Sequence, residues 1–376
     1  MSERVFGGGN ALFGIALREN NTRRRFLICN RLQAKHIPAD PAMTLDYFGK
    51  LGNLAASGCR RDERILVIGF AETATAVGAA VADCLRRVGD DVVYCHTSRE
   101  ALPREALVAE FFEEHSHAVN QALYLDGFDI RGFGRIVFVE DEVTTGRTIL
   151  NFLSVLREKK LLPERVGITV AALVFGDIDR TKFDEYDVDF YCLAKVDTAA
   201  LSVPEAEGNI EGNLIESRFY DGVYDAPPEI RLPGMMNPRL GVSAAEYKAR
   251  CLKFAEDVVA LVDVRDKSIL VIGTEEFMYP ALFVGAKAAE SAASVRCHST
   301  TRTPIVPLDL PHYPITERAA LRSLYDAERR TYLYNLASCD SVIVVTDAKE
   351  LSGGERGLYR ALRDRGNTDV RLVRWI

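Results

Sequence analysis

The chain has 376 residues, more than one ordinary hydrophobic core accommodates, which predicts two domains. Hydrophobic residues make up 48% and charged residues 27%, a balance typical of a folded globular protein rather than a disordered one. The formal net charge of −7 excludes binding to nucleic acid through a strongly basic surface, so no nucleic-acid partner is expected.

The chain begins without the long apolar run of a signal peptide, and no stretch approaches the ~18 apolar residues of a membrane span. The eight cysteines are scattered and form no CxxC pair, a pattern typical of reduced thiols. We therefore expect a cytoplasmic protein with no membrane partner.

Short apolar runs rich in β-branched residues predict strands in the first half of the chain. The predicted strands are 25–29, 65–69, 91–96, 135–140, 166–175 and 188–193. Between strands, 76–88 and 148–159 carry apolar residues at helical spacing and predict helices. This alternation predicts an α/β domain over 1–200 in which helices flank a parallel sheet.

Residues 201–243 have a different character, because proline and glycine interrupt every periodic pattern there. This composition predicts a linker or an irregular crossover. Helical periodicity resumes over 244–262, and a new apolar strand is predicted at 268–273. We therefore expect a second α/β domain over 244–376.

The second half repeats features of the first in the same order. Ile65-Leu-Val-Ile-Gly69 recurs as Ile269-Leu-Val-Ile-Gly273, and the Cys-His of Tyr94-Cys-His-Thr-Ser-Arg99 recurs in Arg296-Cys-His-Ser-Thr-Thr-Arg302. Any two α/β domains offer apolar strands followed by glycine and a helix. The repeated Cys-His is therefore the observation that favours one shared fold for both halves.

The clearest chemical motif is Arg135-Ile-Val-Phe-Val-Glu-Asp-Glu-Val-Thr-Thr-Gly-Arg-Thr148. Its apolar run predicts a buried parallel strand, and its acids lie at the carboxyl end, where open α/β sheets bind ligands. The following residues lead into a helix, whose first N–H groups favour a phosphate. Carboxylates accept hydrogen bonds strongly, so the acids suit sugar hydroxyls. The pattern indicates a site for a sugar phosphate.

This motif resembles the signature of the type I phosphoribosyltransferases. In that family, the acids bind the ribose hydroxyls of phosphoribosyl pyrophosphate and the loop holds its 5-phosphate. The resemblance implies that Glu140 and Asp141 bind ribose. It also implies a phosphate loop made of Thr144, Thr145, Gly146, Arg147 and Thr148. Glu142 departs from the pattern, because the family usually has an apolar residue there.

The same resemblance assigns roles upstream of the motif. It implies a pyrophosphate loop after the second predicted strand, formed by Phe70, Ala71, Glu72 and Thr73. Arg99 resembles the basic residue of orotate-type enzymes that contacts pyrophosphate; the alternative is a surface arginine. Residues 100–117 take the position of the catalytic lid, in which His115 and His117 would stabilise the leaving pyrophosphate. The alternative places both histidines on a helix surface.

Residues 25–38 lie where this family has its hood, the variable region that selects the base. Lys35 and His36 are candidates for contacting base or pyrophosphate, with a solvated basic turn as the alternative. Lys35-His-Ile-Pro38 and Glu113-Glu-His-Ser-His-Ala118 further resemble orotate-type enzymes encoded in bacterial tellurium-resistance and stress gene clusters. That group often carries a C-terminal domain named for a Thr-Arg-Ser-Pro motif, from which Thr300-Thr-Arg-Thr-Pro304 departs by one residue.

The repeated motif is degenerate in the second half. Thr346 and Asp347 replace the acid pair, and a longer loop replaces the phosphate turn, so no second transferase site of the same kind is expected. A candidate second pocket would be lined at corresponding strand ends by Glu275, Glu276, Thr301 and Arg302. The family commonly dimerises, and either a homodimer or an internal pseudo-dimer is expected.

The function predicted from the sequence is transfer of ribose 5-phosphate from phosphoribosyl pyrophosphate to a nitrogenous base. Mg²⁺ would enter through the substrate, with no dedicated protein ligands assigned. The bacterial group is predicted to make a nucleoside-like metabolite. Two alternatives remain: a non-catalytic sensor of phosphoribosyl pyrophosphate, and a reverse or hydrolytic reaction that releases a base from a nucleotide.

Overall fold

The computed structural model describes residues 12–19, 25–111, 121–163, 165–197 and 211–376. Its strands are β1 (Phe13–Leu17), β2 (Phe26–Asn30), β3 (Ile65–Gly69), β4 (Val92–His96), β5 (Leu107–Phe111), β6 (Gln121–Tyr124), β7 (Arg135–Val143), β8 (Gly167–Phe175), β9 (Val188–Lys195), β10 (Arg218–Tyr220), β11 (Glu229–Leu232), β12 (Val242–Ser243), β13 (Ser268–Gly273), β14 (Ser294–Ser299), β15 (Arg318–Arg322), β16 (Arg330–Tyr334), β17 (Ser341–Thr346) and β18 (Asp369–Trp375). Its α-helices are α1 (Pro41–Ala56), α2 (Thr75–Leu85), α3 (Arg147–Glu158), α4 (Ala244–Leu261), α5 (Tyr279–Ala288) and α6 (Gly354–Asp364). Within these described ranges, no helix is long and apolar enough to cross a membrane.

The chain forms two compact units that are interleaved along the sequence. The described parts of 46–200 and 236–249 form the first unit, and those of 9–45, 201–235 and 250–376 form the second. The sequence predicts a linear division instead, with 1–200 and 244–376 as the two domains. The observed units differ from the predicted domains because short segments from elsewhere in the chain pair with the strands of each unit.

The first unit is built on a six-stranded sheet in the order β12-β4-β3-β7-β8-β9. The five strands from β4 to β9 are parallel, and β12 pairs antiparallel with β4 at one edge. The predicted strands at 65–69, 91–96, 135–140, 166–175 and 188–193 and the predicted helices at 76–88 and 148–159 are confirmed, with small shifts at their ends. All five residues of β3 are buried, as expected for a central parallel strand.

Two glycines allow helix α2 to lie close against the sheet. A Cβ atom added to Gly78 would lie 2.9 Å from the Cα atom of Gly69, a distance that real Cβ atoms do not adopt. The helix therefore begins directly above the end of β3. This contact fixes the turn between Gly69 and Thr75, which carries the predicted pyrophosphate loop.

The second unit contains a five-stranded, fully parallel sheet in the order β11-β18-β17-β13-β14. A three-stranded sheet, β10-β15-β16, packs its buried residues with α6 and the larger sheet in one hydrophobic cluster. The hairpin β1–β2 belongs to this unit as well, because its apolar residues share a cluster with Ile305, Leu308 and Tyr334. The strand predicted at 25–29 is confirmed as a strand, although not as part of the first sheet.

The two units share one topology. Strands β4-β3-β7-β8 of the first unit and β14-β13-β17-β18 of the second follow the same spatial order, and a two-stranded hairpin, β5–β6 or β15–β16, precedes the third strand of each. In chain order, an α-helix follows the first and the third of these four strands in both units: α2 follows β3, α3 follows β7, α5 follows β13 and α6 follows β17. The expectation that the second half repeats the fold of the first is confirmed.

The predicted linker at 201–243 contains regular structure. Strand β10 pairs in parallel with β15, and β11 pairs in parallel with β18. The prolines and glycines that hide these strands in the sequence flank them rather than interrupt them. Each strand is short and derives its hydrogen bonds from one partner, so local composition gave no signal for it.

Candidate functional site

The carboxyl ends of β3 and β7 bring two predicted segments of the first unit into contact. The hydroxyl of Thr73 donates a hydrogen bond of 2.7 Å to Oδ1 of Asp141. Thr73 ends the predicted pyrophosphate loop, and Asp141 is the second acid of the predicted ribose pair. Because parallel strands end at the same edge of the sheet, the segments that follow them lie next to each other there.

The peptide groups of Ala71 are held on both sides. The amide of Ala71 donates to Oγ1 of Thr97 at 2.8 Å, and its carbonyl accepts from Nε2 of Gln121 at 3.1 Å. The hydroxyl of Thr97 donates in turn to Oε1 of Gln121. All three residues are buried. Sequence reasoning did not select Thr97 or Gln121, although Thr97 lies inside the repeated Cys-His motif.

Phe70 holds the predicted loop on the hydrophobic core of the first unit. Its ring is 1% exposed and packs against Phe111, Phe138 and Phe152, with centroid distances of 5.8 to 6.1 Å. Its backbone amide donates to the carbonyl of Val139 at 3.0 Å. Of the four predicted loop residues, Phe70 therefore anchors the turn. Ala71, Glu72 and Thr73 form its outer part.

The predicted phosphate loop leads into α3 through a left-handed residue. Gly146 has φ of 73°, and a Cβ atom there would lie 2.8 Å from Cζ of Phe183. Both the backbone conformation and the space require glycine. Thr145 and Arg147 are exposed on either side of it, while Thr144 and Thr148 are half-buried. The loop thus presents its backbone and hydroxyls at the start of a helix, the arrangement that favours a phosphate.

Glu140 and Asp141 remain within β7, and both are half-buried. Glu140 pairs in register with Ala172 of β8. Consecutive strand residues point to opposite faces of the sheet. Asp141 lies on the face that Thr73 contacts, and Glu140 therefore points to the other face. The pair can therefore accept hydrogen bonds on two sides of the strand end.

The segment around Arg99 is fixed to the hairpin β5–β6. Ser98 and Ala122 exchange two backbone hydrogen bonds of 2.9 Å, which joins the end of β4 to β6. Arg99 follows directly and is half-buried. His115 and His117 lie outside the described residues, and the lid role of 100–117 stays a prediction. The part of this segment that is described forms β5 and a short 3₁₀ turn, Arg104–Ala106.

Lys35 and His36 belong to the second unit. The Lys35 ammonium is fully buried and donates to the carbonyl oxygens of Glu275 and Thr300 at 2.7 and 3.0 Å. His36 is also buried, and burial is the main cause that lowers its pKa to about 3. The alternative of a solvated basic turn is wrong, because both side chains are buried. Contact of Lys35 or His36 with base or pyrophosphate stays a prediction.

The four candidate residues of the second pocket lie at the matching strand ends of the second unit. Nε of Arg302 donates to Oε2 of Glu275 at 2.5 Å, and its Nη2 lies 3.7 Å from Oε1 of Glu276. Thr301 is buried and exchanges backbone hydrogen bonds with Tyr332. The structure therefore brings Glu275, Glu276 and Arg302 together, whereas Thr301 holds the adjoining hairpin. Sequence reasoning missed Ser323, Tyr325 and Arg329, which join this cluster from the hairpin turn.

A parallel α/β sheet with an acid-ended strand, a glycine turn and a helix start defines the first unit as a phosphoribosyltransferase-type domain. A profile described as phosphoribosyl transferase matches residues 12–202, just over half of the chain, and the chain belongs to this family. Residues 236–362 match a second profile, described as the TRSP domain C-terminal to that transferase domain. The expected combination of the two domains is confirmed.

Solved structures of adenine phosphoribosyltransferases are similar to about half of the chain. The enzyme from Trypanosoma brucei, in complex with AMP, pyrophosphate and ribose-5-phosphate, is 12% identical, with a TM-score of 0.35 over 52% of this chain and 87% of that one. The enzyme from Rhodothermus marinus is 13% identical, with a TM-score of 0.35 over 49% and 94%. The enzyme from Giardia lamblia with 9-deazaadenine is 15% identical, with a TM-score of 0.34 over 50% and 96%. No curated protein matches the sequence.

Proposed function

We propose that the first unit transfers ribose 5-phosphate from phosphoribosyl pyrophosphate to a nitrogenous base and releases pyrophosphate. The observation that carries this proposal is the hydrogen bond between Thr73 and Asp141. It joins the loop assigned to pyrophosphate with the acids assigned to ribose at one edge of the sheet. A ligand that carries a pyrophosphate and a ribose hydroxyl on adjacent carbon atoms fits such a site.

Each part of the site has a proposed task. Glu140 and Asp141 accept hydrogen bonds from the ribose hydroxyls and orient the sugar. Residues 144–148 bind the 5-phosphate at the start of α3. The backbone of Ala71, Glu72 and Thr73, with Arg99, binds the pyrophosphate and stabilises the negative charge that develops on it as it leaves. The protein thus acts by position and electrostatics and forms no covalent bond with the sugar.

The donor set of this edge fits Mg²⁺ bound together with the substrate. A carboxylate and a hydroxyl are hard oxygen ligands of the kind that Mg²⁺ prefers, and Asp141 and Thr73 supply them on one face of the strand end. Among the described residues, no group of three or more His, Cys, Asp or Glu side chains could hold a metal ion alone. When bound, Mg²⁺ would neutralise charge on the pyrophosphate, and substrate oxygens would complete its coordination.

The acceptor is proposed only as a nitrogenous base, in a cytoplasmic reaction. The motifs shared with orotate-type enzymes of tellurium-resistance and stress gene clusters support a role in making a nucleoside-like metabolite. That role predicts a product that contains ribose 5-phosphate joined to a ring nitrogen. Incubation with phosphoribosyl pyrophosphate and a panel of bases, followed by mass spectrometry, would identify the acceptor.

Calorimetric titration of phosphoribosyl pyrophosphate with Mg²⁺ tests the proposal directly. Wild type is expected to bind, and Asp141→Asn is expected to bind at least about tenfold more weakly, because it loses one charged acceptor. Binding by folded wild type without product from any base would leave a sensor of the same ligand. No binding by folded wild type would overturn both readings.

A further inference from the structure

The backbone places Glu275 of the second unit where Ala71 lies in the first. The amide of Ala71 donates to Oγ1 of Thr97 at 2.8 Å, and the amide of Glu275 donates to Oγ1 of Thr300 at 3.0 Å. The two loops follow equivalent strands: β3 lies between β4 and β7 in its sheet, and β13 lies between β14 and β17 in its own. The second unit therefore has a carboxylate at a position where the first unit has a methyl group.

The Glu275 carboxylate is 1% exposed and is bound as an anionic ligand would be bound. Its Oε2 accepts from Nε of Arg302 at 2.5 Å and from Nη1 of Arg329 at 3.1 Å. Its Oε1 accepts from the hydroxyl of Ser323. Two guanidinium groups and a hydroxyl around one carboxylate form a site whose chemistry suits an oxyanion.

Arg302 is the counterpart of Arg99. Ser98 and Thr301 each exchange two backbone hydrogen bonds with the hairpin of their own unit, and the arginine is the next residue in both cases. In the first unit, Arg99 is assigned to pyrophosphate. In the second unit, the same position contacts a carboxylate of the chain itself.

Side chains of the second unit also contact the counterparts of the proposed ribose and phosphate positions. Asp347, the counterpart of Asp141, accepts a hydrogen bond of 2.6 Å from the hydroxyl of Tyr325. At the start of α6, the amide of Gly353 donates to Oε2 of the buried Glu355 at 3.0 Å. A tyrosine hydroxyl thus lies where the function proposed for the first unit puts a sugar hydroxyl, and a second carboxylate lies where it puts a phosphate.

We propose that the second unit contains a masked oxyanion site, formed by Arg302, Arg329 and Ser323, in which Glu275 replaces a diphosphate. The diphosphate identity rests on the function proposed for the first unit, whereas the oxyanion chemistry rests on the contacts of Glu275. The hairpin turn that carries Ser323, Tyr325 and Arg329 closes over this site. Without the Glu275 carboxylate, Arg302 keeps Glu276 at 3.7 Å and Arg329 keeps Asp326 at 3.5 Å. Both contacts are longer than those made to Glu275, so an external diphosphate or phosphate can bind in its place.

The test uses the full chain with Glu275→Ala, which restores the residue type found at Ala71. Inorganic pyrophosphate is titrated calorimetrically into this variant and into wild type. The variant is expected to bind one more pyrophosphate per chain than wild type, and the addition of Arg302→Gln is expected to abolish that gain. Glu290→Ala is the matched control, because it removes an exposed carboxylate of the same unit that pairs with Lys287.

Trp375 reports whether the second unit is folded. It is the single tryptophan of the chain, is 2% exposed and stacks on Phe254. A Glu275→Ala variant with native Trp375 fluorescence and no additional pyrophosphate bound would overturn the proposal. If the variant loses this signal, millimolar pyrophosphate is expected to restore it, and failure to restore it would also overturn the proposal.

The outcome is separable from that of the proposed function. The function of the first unit is read from wild type and Asp141→Asn with phosphoribosyl pyrophosphate. The masked site is read as a gain over wild type that depends on Arg302. If the masked site exists, Glu275→Ala would bind additional pyrophosphate even where wild type binds no phosphoribosyl pyrophosphate.

Discussion

Thr73 and Asp141 are 68 positions apart in the sequence, and the hydroxyl of one donates a 2.7 Å hydrogen bond to the carboxylate of the other. Asp141 is half-buried near the end of β7, and Thr73 lies in the loop that follows β3. The hydrogen bond therefore fixes the orientation of the acid before a ligand arrives. Such pre-organisation reduces the cost of ordering the site on binding.

Replacement of Thr73 by valine keeps the shape of the side chain and removes the donor. Affinity for phosphoribosyl pyrophosphate is expected to fall at least about tenfold, since a hydrogen bond to a charged group contributes about 1.5–3 kcal/mol. Calorimetric titration measures the change. Thr73→Ser retains the hydroxyl and is expected to bind within about twofold of wild type. Equal affinity in Thr73→Val and wild type would show that this hydrogen bond does not position Asp141.

Replacement of Gly146 by alanine tests the phosphate loop. Its φ of 73° and the 2.8 Å approach of Phe183 both oppose a Cβ atom. Gly127→Ala is the matched control, because Gly127 has φ of 74° and open space around the added atom. Thermal unfolding should show a loss of about 1 kcal/mol for the control and a further loss of about 1–3 kcal/mol for Gly146→Ala. Equal losses would contradict the packing argument.

A substitution of Arg135 is expected to change the stability of the first unit without changing its ligand affinity. Arg135 starts β7, at the end opposite Asp141, and its nearly buried guanidinium pairs with Glu63 at 2.9 Å and with Asp189 at 3.1 Å. Arg135→Met leaves the Glu63 carboxylate without this partner and is expected to cost about 3 kcal/mol in the free energy of unfolding. Affinity for phosphoribosyl pyrophosphate is expected to stay unchanged in the folded variant.

The control for this change is Glu63→Gln combined with Arg135→Met. Removal of both charges is expected to recover part of the lost stability, because the main cost of the single change is an uncompensated charge. Urea unfolding measures both variants. A double variant no more stable than Arg135→Met would show that packing of the arginine, rather than its charge, stabilises the first unit.

The second unit is expected to lose stability in acid through two buried histidines. Burial lowers the pKa of His36 to about 3 and that of His298 to about 4, with the positive charge of Lys35 adding to the effect in both cases. An unfolded chain binds these protons near pH 6.5, whereas the folded chain binds them only near pH 3 to 4. Stability therefore falls as pH drops from 6.5 towards 4, by about 1.4 kcal/mol per pH unit for each histidine.

His36→Leu is expected to reduce this slope by about half. Both ring nitrogens of His36 are buried and lack a hydrogen-bond partner in the described part of the chain, so leucine should not lower stability at pH 7. Urea unfolding followed by Trp375 fluorescence gives the slope between pH 6.5 and 4. The exposed His312 provides the control His312→Asn, which keeps its left-handed backbone and should leave the slope intact. An unchanged slope in His36→Leu would contradict the assignment.

The sequence by itself determined the elements of the central sheets and the chemical signature. Continuous apolar runs such as 65–69 and 269–273 mark buried parallel strands, because such strands are covered on both faces and carry no polar side. The acids lie near the end of β7 and the threonine-glycine turn follows directly, so the whole motif is one continuous stretch of sequence. Their order along the chain therefore predicts a site for a sugar phosphate, and this assignment stays a prediction. The repeat of these features also predicted the shared topology of both halves.

The tertiary structure alone decided which segments join which unit and which side chains meet. The hairpin β1–β2 and the short strands β10 and β11 join the second unit through partners distant in sequence. Lys35 lies 240 positions from the carbonyl of Glu275 that it contacts. The ion pairs of Glu275 with Arg302 and Arg329 depend on a hairpin turn folding back over a strand end. Local sequence patterns indicate burial and periodicity. Contacts between residues distant in sequence depend instead on the order of strands in the sheet, and no run of neighbouring residues specifies that order.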